Sequence, residues 1–487
     1  MTAVTTGARI ALLLAALLMT ACTAPAPPRG ETSTATGTVC APPRGTPGKE
    51  TATTIDVIEQ AYFCILGHYY GGATLDARPL LTAGFAAMTQ ELNRNGRDLP
   101  EAAAPALNGD RKADWAAFET AYRKITDQVP GLRDDLAVAT LEAIVAALDH
   151  HASWAHDAEQ PPDYHDGDGY GLGLEANVSA SQADGDLDAA VPPLFVTTVR
   201  GGAARAAGLR PGDVIESING SAPFTGPKAT PAIAALYQRY PQARPVRLRL
   251  LRQSTGRRWS VTLQPGLYQQ DLAALQVVRS KLLGDDLAYV RVTGFLPDSA
   301  DRILRAITRL RQNRTLSGVV LDLRGNSGNS DGSSGGSGGS GGSITEATRL
   351  LSAFAHGKIT AYHCTAGDTC TSLRTDDTVA LLGLPLVVLT DRGCASACEH
   401  FSSAVKDLRA GLLVGTRTAG LISGPAQPYL LANNTILRLP AGHHLGPDRE
   451  VIDRIGVPPD HHVPLTPADA AAGRDPALAK ALTLLHE

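Results

Sequence analysis

The position best suited to chemistry in this sequence is Ser396. It follows an apolar stretch, Val387–Leu389, and a turn of small residues, and a predicted helix begins close to it. A serine at such a strand-to-helix junction exposes its hydroxyl above the sheet edge, where the first amides of the helix can stabilise an oxyanion. The same features describe a serine that only caps the helix, so the segment by itself leaves both roles open.

A serine hydroxyl is a poor nucleophile without a general base. Histidine suits that role because its ordinary pKa of ~6.5 permits proton transfer near neutral pH. The chain has 13 histidines, and most are expected to be structural. His400, one helical turn after Ser396, could reach it locally. Four others form pairs near the end of the chain that could bind a stray metal ion: His443, His444, His461 and His462.

The chain around Ser396 alternates apolar strands with helices over residues 267–487. Predicted strands cover residues 287–292, 318–323, 385–390 and 412–414, and predicted helices cover residues 300–310 and 395–408. Such alternation predicts an α/β core built on a largely parallel sheet. A Gly/Ser-rich run, 325–343, interrupts the core and is predicted to be a loop that could act as a lid.

Residues 161–266 have a different texture, with short β-type runs and many turn signals. A strand, a short Ala-rich helix, a Gly-rich turn and a second strand follow one another in 196–220, and this region resembles a PDZ domain. In that family a Gly-Leu-Gly loop binds a peptide C-terminus through backbone N–H groups. The matching residues, predicted to bind peptide, are Tyr170, Gly171, Leu172 and Gly173. Glycines allow several amides to point into one anion site; a plain hairpin turn is the alternative.

The region before the PDZ-like segment is predicted to be helical. Ile55, Ile58, Tyr62 and Ile65 recur at helical spacing. The sequence therefore predicts an N-terminal helical domain over residues 51–160. Its apolar stripes are expected to be core and not a cofactor site.

The first residues have the layout of an export signal. Residues 1–21 combine Arg9, an apolar run too short to span a bilayer, and small residues at the end. Cys22 stands where a bacterial lipoprotein carries its acylated cysteine, and residues 22–50 form a Thr/Ala/Pro/Gly-rich tether. We therefore expect a lipid anchor to a bacterial membrane and an extracytoplasmic location. An ordinary cleaved signal peptide is the alternative.

Cysteine usage agrees with export. Without Cys22, six of the seven cysteines remain, and an even number in an exported chain permits disulfides whose pairing the sequence leaves open. Pairing between near neighbours gives Cys40–Cys64, Cys364–Cys370 and Cys394–Cys398, of which the last brackets Ser396. A formal net charge of −4, without a basic stripe or a metal-binding Cys/His spacing, indicates neither nucleic acid, nor metal, nor cofactor.

Four motifs complete the pattern. They are Leu148–Trp154 (LDHHASW), Leu321–Gly328 (LDLRGNSG), Gly393–Glu399 (GCASACE) and Gly456–Asp460 (GVPPD). Together with the domain order, they resemble the C-terminal processing (tail-specific) serine peptidases and the related tricorn core protease. The resemblance implies a core of the ClpP/crotonase-like type and Ser396 as the nucleophile.

One position departs from that family. Many members pair the serine with a lysine in a Thr-x-Gly-Lys-Gly segment, but Leu421 occupies the lysine's place here. Resemblance to the tricorn-like branch, which also lacks the lysine, implies His151 as the base and Asp453 as the carboxylate that orients it. The alternatives are His150 or His400 as the base and Glu450 as the carboxylate.

The resemblance also implies how an oxyanion would be held. The implied donors are the backbone N–H groups of Ala397 and Gly328. Asp322 and Arg324 follow a buried strand nearby and are interpreted as an ion pair that shapes this loop, with direct substrate contact as the alternative.

These features predict an extracytoplasmic serine endopeptidase for unstructured or C-terminal-tail polypeptide substrates. The PDZ domain would recognise the tail, and Ser396 would form an acyl-enzyme. A catalytically inactive, peptide-binding scaffold of the same fold is the main alternative, favoured by the missing lysine and the Gly/Ser insertion. An esterase-like hydrolase with the same triad is a further alternative.

Overall fold

The computed structural model describes residues 40–44, 47–149, 151–155, 161–165, 167–178, 190–241, 243–271, 276–312, 314–327, 342–367 and 369–487. Several predicted features lie outside the described residues: the signal peptide, the lipidation site Cys22, His150 and the oxyanion donor Gly328. Most of the tether and of the Gly/Ser-rich loop also lies outside them.

The first helices pack their apolar faces into one cluster. They are α1 (Ile55–His68), α2 (Arg78–Arg94), α3 (Arg111–Thr126) and α4 (Arg133–Ala146), with a 3₁₀ turn (Pro130–Leu132) before α4. Ile58, Tyr62 and Ile65 are fully buried. This confirms the prediction that the apolar residues at helical spacing form the packed face of α1. After α4 the chain enters β1 (Ser153–Ala155), which pairs with a strand of the C-terminal core.

A β-rich domain, residues 168–269, follows. Its strands are β2 (Asp168–Gly171), β3 (Leu174–Ala176), β4 (Val196–Val199), β5 (Asp213–Ile218), β6 (Phe224–Thr225), β7 (Lys228–Ala229), β8 (Val246–Arg252), β9 (Arg257–Leu263) and β10 (Gly266–Gln269). Helix α5 (Gly202–Ala206) and a 3₁₀ helix (Pro231–Tyr237) lie between strands. β3 pairs with β4, β10 with β2, and β5, β8 and β9 form an antiparallel sheet. The domain has an apolar cluster of its own.

The remaining chain forms the α/β core. Its strands are β11 (Val278–Leu283), β12 (Leu287–Val292), β13 (Gly318–Asp322), β14 (Ile359–Cys364), β15 (Cys370–Arg374), β16 (Leu386–Thr390), β17 (Leu412–Gly415), β18 (Ala426–Leu430), β19 (Ile436–Pro440), β20 (His443–Leu445) and β21 (His461–His462). Its helices are α6 (Ser299–Arg311), α7 (Ile344–Ser352), α8 (Ala397–Asp407), α9 (Pro467–Ala471) and α10 (Pro476–His486). Across the described residues, we find no helix with the length and apolar character needed to span a membrane.

Within the described residues, the central sheet has the strand order β11-β12-β13-β16-β17-β21. Only β11 and β12 are antiparallel in it, which confirms the prediction of a largely parallel sheet. Val319 and Leu321 of β13 pack against α6, α7 and α8, whereas Val320 packs towards α10. Because alternate residues face opposite layers, β13 and β16 are apolar up to their last residues, Asp322 and Thr390.

A smaller sheet joins the helical region to the core. Its strand order is β1-β19-β18, and Tyr429, Leu437 and Leu439 from it pack into the cluster of α1–α4. The helical region therefore shares its packed interior with the core. This arrangement carries the residues after α4 towards the sheet that bears Ser396.

The described cysteines form disulfides in the near-neighbour pattern predicted from the sequence. The bonds join Cys40 to Cys64, Cys364 to Cys370 and Cys394 to Cys398, with Cα–Cα distances of 5.6, 4.0 and 5.4 Å. The first ties the start of the described chain to α1, and the last closes the turn around Ser396. Oxidised cysteines are typical of proteins outside the reducing cytosol.

Candidate active site

Ser396 lies at the junction between the turn after β16 and the first residue of α8, as predicted. Its backbone has φ 57° and ψ −118°, a conformation that non-glycine residues seldom adopt and that costs about 1–3 kcal/mol. Its N–H donates to the C=O of Leu421 at 3.0 Å. The flanking Cys394–Cys398 disulfide restrains the same turn. The strained geometry is typical of a residue held in place for function.

A buried carboxylate, Glu399, holds the backbone around Ser396. Glu399 is fully buried and accepts hydrogen bonds from the N–H of Ser396 (3.2 Å), the hydroxyl of Thr418 (2.6 Å) and the N–H groups of Gly420 (2.6 Å) and Leu421 (2.8 Å). Burial raises the pKa of Glu399 to about 7, although these hydrogen bonds oppose the shift. Glu399 had no predicted role, although Ser-x-x-Glu at a helix start is a capping-box signal that points to it.

The segment 418–421 connects Ser396 to the turn that carries Asp453. Gly420 accepts a hydrogen bond from the N–H of Arg454 at 2.7 Å. A Cβ on Gly420, which has a φ of 77°, would lie 2.9 Å from the nitrogen of Ile455, so only glycine permits this close approach. Leu421 lies beside Ser396 through the backbone hydrogen bond between them.

His151 is positioned by the chain that leaves α4. The Asp149 carboxylate accepts hydrogen bonds from the N–H groups of His151 (2.9 Å) and Ala152 (2.8 Å). Its other oxygen accepts from the hydroxyl of Tyr69 at 2.8 Å, and burial together with this contact raises the pKa of Tyr69. Just beyond, the indole N–H of Trp154 donates to Thr435 Oγ1 at 2.7 Å. The pairing of β1 with β19 therefore fixes His151 against the core.

The structure brings His151 and Asp453 together. His151 Nε2 lies 2.8 Å from Asp453 Oδ1, across 302 positions of sequence. The two side chains are 13% and 30% exposed, so the contact is partly shielded from water. A carboxylate on one ring nitrogen fixes the tautomer and orientation of an imidazole. Glu450, the alternative carboxylate, instead accepts a hydrogen bond from Ser403 Oγ at 2.7 Å.

The alternative base, His400, is occupied elsewhere. It is fully buried in α8, and its Nε2 lies 2.8 Å from Thr348 Oγ1. Its ring packs edge-on against His444 at 5.4 Å between centroids. Burial and the nearby His363 lower the pKa of His400 to about 3. A ring so buried and so weakly basic is a poor proton acceptor at neutral pH.

Of the two predicted oxyanion donors, Ala397 lies within the described residues. It is the first residue of α8, where N–H groups have no intrahelical partner. The 323–327 loop packs against this turn, because Ala395 N–H donates to the C=O of Asn326 at 3.0 Å. The Asp391 carboxylate accepts from the N–H groups of Gly325 (2.8 Å) and Gly393 (2.9 Å) and so links the two segments. The backbone leading to Gly328 therefore approaches the turn of Ser396.

The predicted ion pair of Asp322 and Arg324 is present at the end of β13. Arg324 Nη2 lies 2.7 Å from Asp322 Oδ2 and also 2.7 Å from Asp475 Oδ2 in α10's cap. Tyr289 and Arg291 contact the same Asp322 oxygen at 2.7 and 3.1 Å. Burial alone would raise the pKa of Asp322, but the hydrogen bonds and charges of the two arginines outweigh it and lower the pKa to about 2.

Replacing Asp322 by asparagine is expected to reduce the free energy of unfolding by about 3–5 kcal/mol at pH 7, because it removes the buried carboxylate that both Arg291 and Arg324 contact. The folded pKa lies below the ordinary 3.8, so the contribution of Asp322 is present above that pH and is lost as the pH falls towards 2. Urea unfolding between pH 2 and 7 checks this. In the variant, the free energy of unfolding should fall less as the pH falls towards 2. A variant with wild-type stability at pH 7 would contradict the prediction.

The predicted peptide loop has backbone amides directed outwards. Gly173 C=O accepts from the N–H of Arg200 at 2.9 Å, and Leu172 C=O accepts from Ala204 N–H at 2.9 Å. Because a trans peptide directs its C=O and N–H to opposite sides, the N–H groups of Gly173 and Leu174 point away from β4 and α5. A Cβ on Gly173 would lie 2.1 Å from Gly201 O. Gly171 and Tyr170 precede this turn in β2.

Comparison with known proteins finds similarity to one peptidase family. Residues 337–463 match peptidase family S41. This stretch of the chain is similar to that family and contains Ser396. The chain is 27% identical over 281 residues to the chloroplastic carboxyl-terminal-processing peptidase 2 of Arabidopsis thaliana, covering 56% of this chain and 50% of that protein. It is 26% identical to the carboxy-terminal-processing protease of Bartonella bacilliformis, covering 71% of this chain and 74% of that protein.

A solved structure has a similar fold. The crystal structure of mature CPAF has a TM-score of 0.54 and 13% identity, and the match covers 88% of this chain and 97% of that one. At this identity the likeness concerns the fold alone. The chain spans half the length of the Arabidopsis relative. The family is one of serine-type peptidases.

The S41 match contains part of the candidate site. Ser396, Leu421 and Asp453 lie inside the matched region, whereas His151 precedes it. The base candidate therefore reaches the site only through the tertiary structure. In the part of the chain that the structure describes, no three His, Cys, Asp or Glu side chains are grouped so that they could hold a metal ion.

Proposed function

We propose that this chain is a secreted, lipid-anchored serine endopeptidase with a Ser396–His151–Asp453 triad. The observation that carries the proposal is the 2.8 Å contact between His151 and Asp453, beside a loop hydrogen-bonded to Ser396. A base and its orienting carboxylate that meet across 302 positions are the arrangement a serine without a lysine partner needs. The two curated relatives are named as a peptidase and a protease, which does not favour the alternative of a non-catalytic scaffold.

The contact suggests how protons would move. Since Asp453 binds Nε2, the Nδ1 atom of His151 would take the proton from Ser396 Oγ as Oγ attacks the scissile carbonyl carbon. The imidazolium, stabilised by Asp453, then donates that proton to the leaving amine as the C–N bond breaks. A water molecule, deprotonated by His151, hydrolyses the acyl-enzyme and restores Ser396. The N–H of Ala397 and the 323–328 loop would stabilise the oxyanion in both tetrahedral intermediates.

Substrate selection is assigned to the β-rich domain, acting as a PDZ domain. The outward amides of Gly173 and Leu174 suit a free carboxylate, and the edge of β3 suits an added peptide strand. An unstructured C-terminal tail offers both features. The substrate would thus be a polypeptide with an accessible C-terminus.

The location follows from the N-terminal sequence and the disulfides. Cys22 is proposed to carry the lipid, with the following residues as a tether. The bonded cysteines of the described chain agree with an oxidising compartment. The protein would act at the cell surface or on the periplasmic side of the membrane.

Fluorophosphonate labelling tests the proposal. The probe should modify the wild-type protein at Ser396, identified by peptide mass mapping, and should leave Ser396→Ala unlabelled. Ser423→Ala, which removes a hydroxyl from the loop after Leu421, serves as a control that should label normally. A wild-type protein that binds tail peptides for long periods without labelling or cleavage would instead be a scaffold.

A further inference from the structure

The edge of β3 that faces away from β4 is partly occupied by a side chain of the protein itself. The N–H of Ala176 donates to the hydroxyl of Tyr237 at 3.3 Å, and that hydroxyl donates to the C=O of Val178. Asn177, between them, donates to the C=O of Phe195 on the opposite edge at 3.1 Å. Neighbouring residues of a strand direct their backbone groups to opposite edges. Tyr237 therefore caps the edge that β4 does not use.

That edge is continuous with the outward-facing amides of the peptide loop. Leu174 N–H points to the same side as Ala176 N–H, two residues further along β3. A peptide that anchors its carboxylate at Gly173 and Leu174 and runs antiparallel to β3 would place its last residue beside Leu174. Since pairing positions recur at every second residue, its third residue from the C-terminus would meet Ala176. The Tyr237 hydroxyl occupies this position.

We propose that Tyr237 competes with the substrate for the edge of β3. The peptide groove, formed by this edge and the loop at Gly173, would then recognise only the last two residues of a free C-terminus. The third residue pairs with Ala176 only after displacing the Tyr237 hydroxyl. This inference rests on the proposed PDZ function. The hydroxyl accepts from Ala176 N–H, as the third peptide residue would, and donates to Val178 C=O, as a fifth residue would. Displacement therefore exchanges hydrogen bonds and adds little affinity. Burial raises the pKa of Tyr237, which keeps the donated proton on the hydroxyl.

Peptide length series on the full chain test the competition. We would titrate N-acetylated alanine peptides of two, four and six residues, with free carboxylates, into the Ser396→Ala form to prevent cleavage. In the wild-type groove, affinity should rise less than about 3-fold from two to four residues. With Tyr237→Phe added, the rise should reach about 10-fold, because the peptide then satisfies backbone groups that are otherwise unpaired. Phenylalanine keeps the ring that packs on the domain core.

Tyr268→Phe is the matched control. It removes a hydroxyl from a ring that packs against Gly201 and Gly202 of the same domain and should leave the length dependence unchanged. Equal gains with length in the wild-type and Tyr237→Phe forms would overturn the competition while leaving the PDZ function intact. If amidated peptides bind as tightly as free carboxylates, the proposed tail recognition itself fails, and the inference with it.

Discussion

Replacing His151 by alanine is expected to lower kcat/KM for an unstructured peptide substrate by about 10³- to 10⁴-fold. The reason is that Ser396 then has no group that can accept its proton in the transition state. Asp453→Asn should cost about 10²- to 10⁴-fold, because an amide at 2.8 Å from Nε2 can favour the wrong tautomer and cannot stabilise an imidazolium. Steady-state kinetics with a fluorogenic peptide between pH 5 and 9 measures both effects.

Glu450→Gln provides the matched control for Asp453. Its carboxylate belongs to the neighbouring segment but bonds to Ser403, so kcat/KM should stay within about 3-fold of wild type. The double variant His151→Ala/Asp453→Asn should be no slower than His151→Ala alone, because the two residues act as one unit. Full activity in His151→Ala would assign the base elsewhere.

Replacing Glu399 by alanine is expected to lower the free energy of unfolding by about 3–5 kcal/mol and kcat/KM by at least about 10²-fold. The change removes an acceptor that Ser396, Thr418, Gly420 and Leu421 share, and it leaves the donors of the last three residues unpaired. Glu399→Gln should give a smaller loss of both, because an amide supplies one acceptor oxygen but turns an NH₂ group towards N–H donors. Urea unfolding and peptide kinetics on the same samples report the two quantities.

Glu346 offers a matched control, since it is also the third residue of a helix that begins after a serine cap. Ser343 caps α7, and Glu346 accepts the N–H of Ala300 at 2.8 Å. Glu346→Ala should cost about 1 kcal/mol of stability and leave kcat/KM unchanged. A similar loss of activity in both alanine variants would show that Glu399 acts only through general stability and not by positioning Ser396.

The pH dependence of stability gives a separate readout for Glu399. Its folded pKa of about 7 lies above the ordinary 4.5, so the folded state binds the proton more tightly than the unfolded state. The contribution of Glu399 is therefore fully present below pH 4.5 and is lost as the pH rises through about 7. In Glu399→Gln the free energy of unfolding should fall less over this range, and an unchanged slope would contradict the shift.

The core architecture could be predicted from the sequence because it depends on local patterns. Apolar runs without alternation, such as Val319–Leu321, predict strands that are buried on both faces, and β13 and β16 are such strands. The junction that presents Ser396 is also local, since a strand, small residues and a helix start follow one another within a few positions. Disulfides between near neighbours in the sequence are local features too, because short loops close readily.

The proposed partners of Ser396 depend on contacts that no local pattern contains. The family resemblance implied His151 as the base, and helical spacing allowed His400. Burial and the contact with Thr348 make His400 the weaker candidate. Asp453 contacts His151, whereas Glu450 contacts Ser403. The contact of Asp453 depends on the path of β1 along β19, which places His151. The roles of Glu399 and Tyr237 were not predicted for a related reason. Each residue acts through hydrogen bonds to backbone groups that are distant in sequence.

The sequence by itself determined the element types, the parallel core and the nucleophile candidate, since each depends on periodicity or on residues close together in the chain. The tertiary structure alone decided that an imidazole from the end of α4 meets Asp453, and that the groove edge of β3 is capped by Tyr237. Both contacts join segments far apart in sequence, and their distances depend on how whole layers pack.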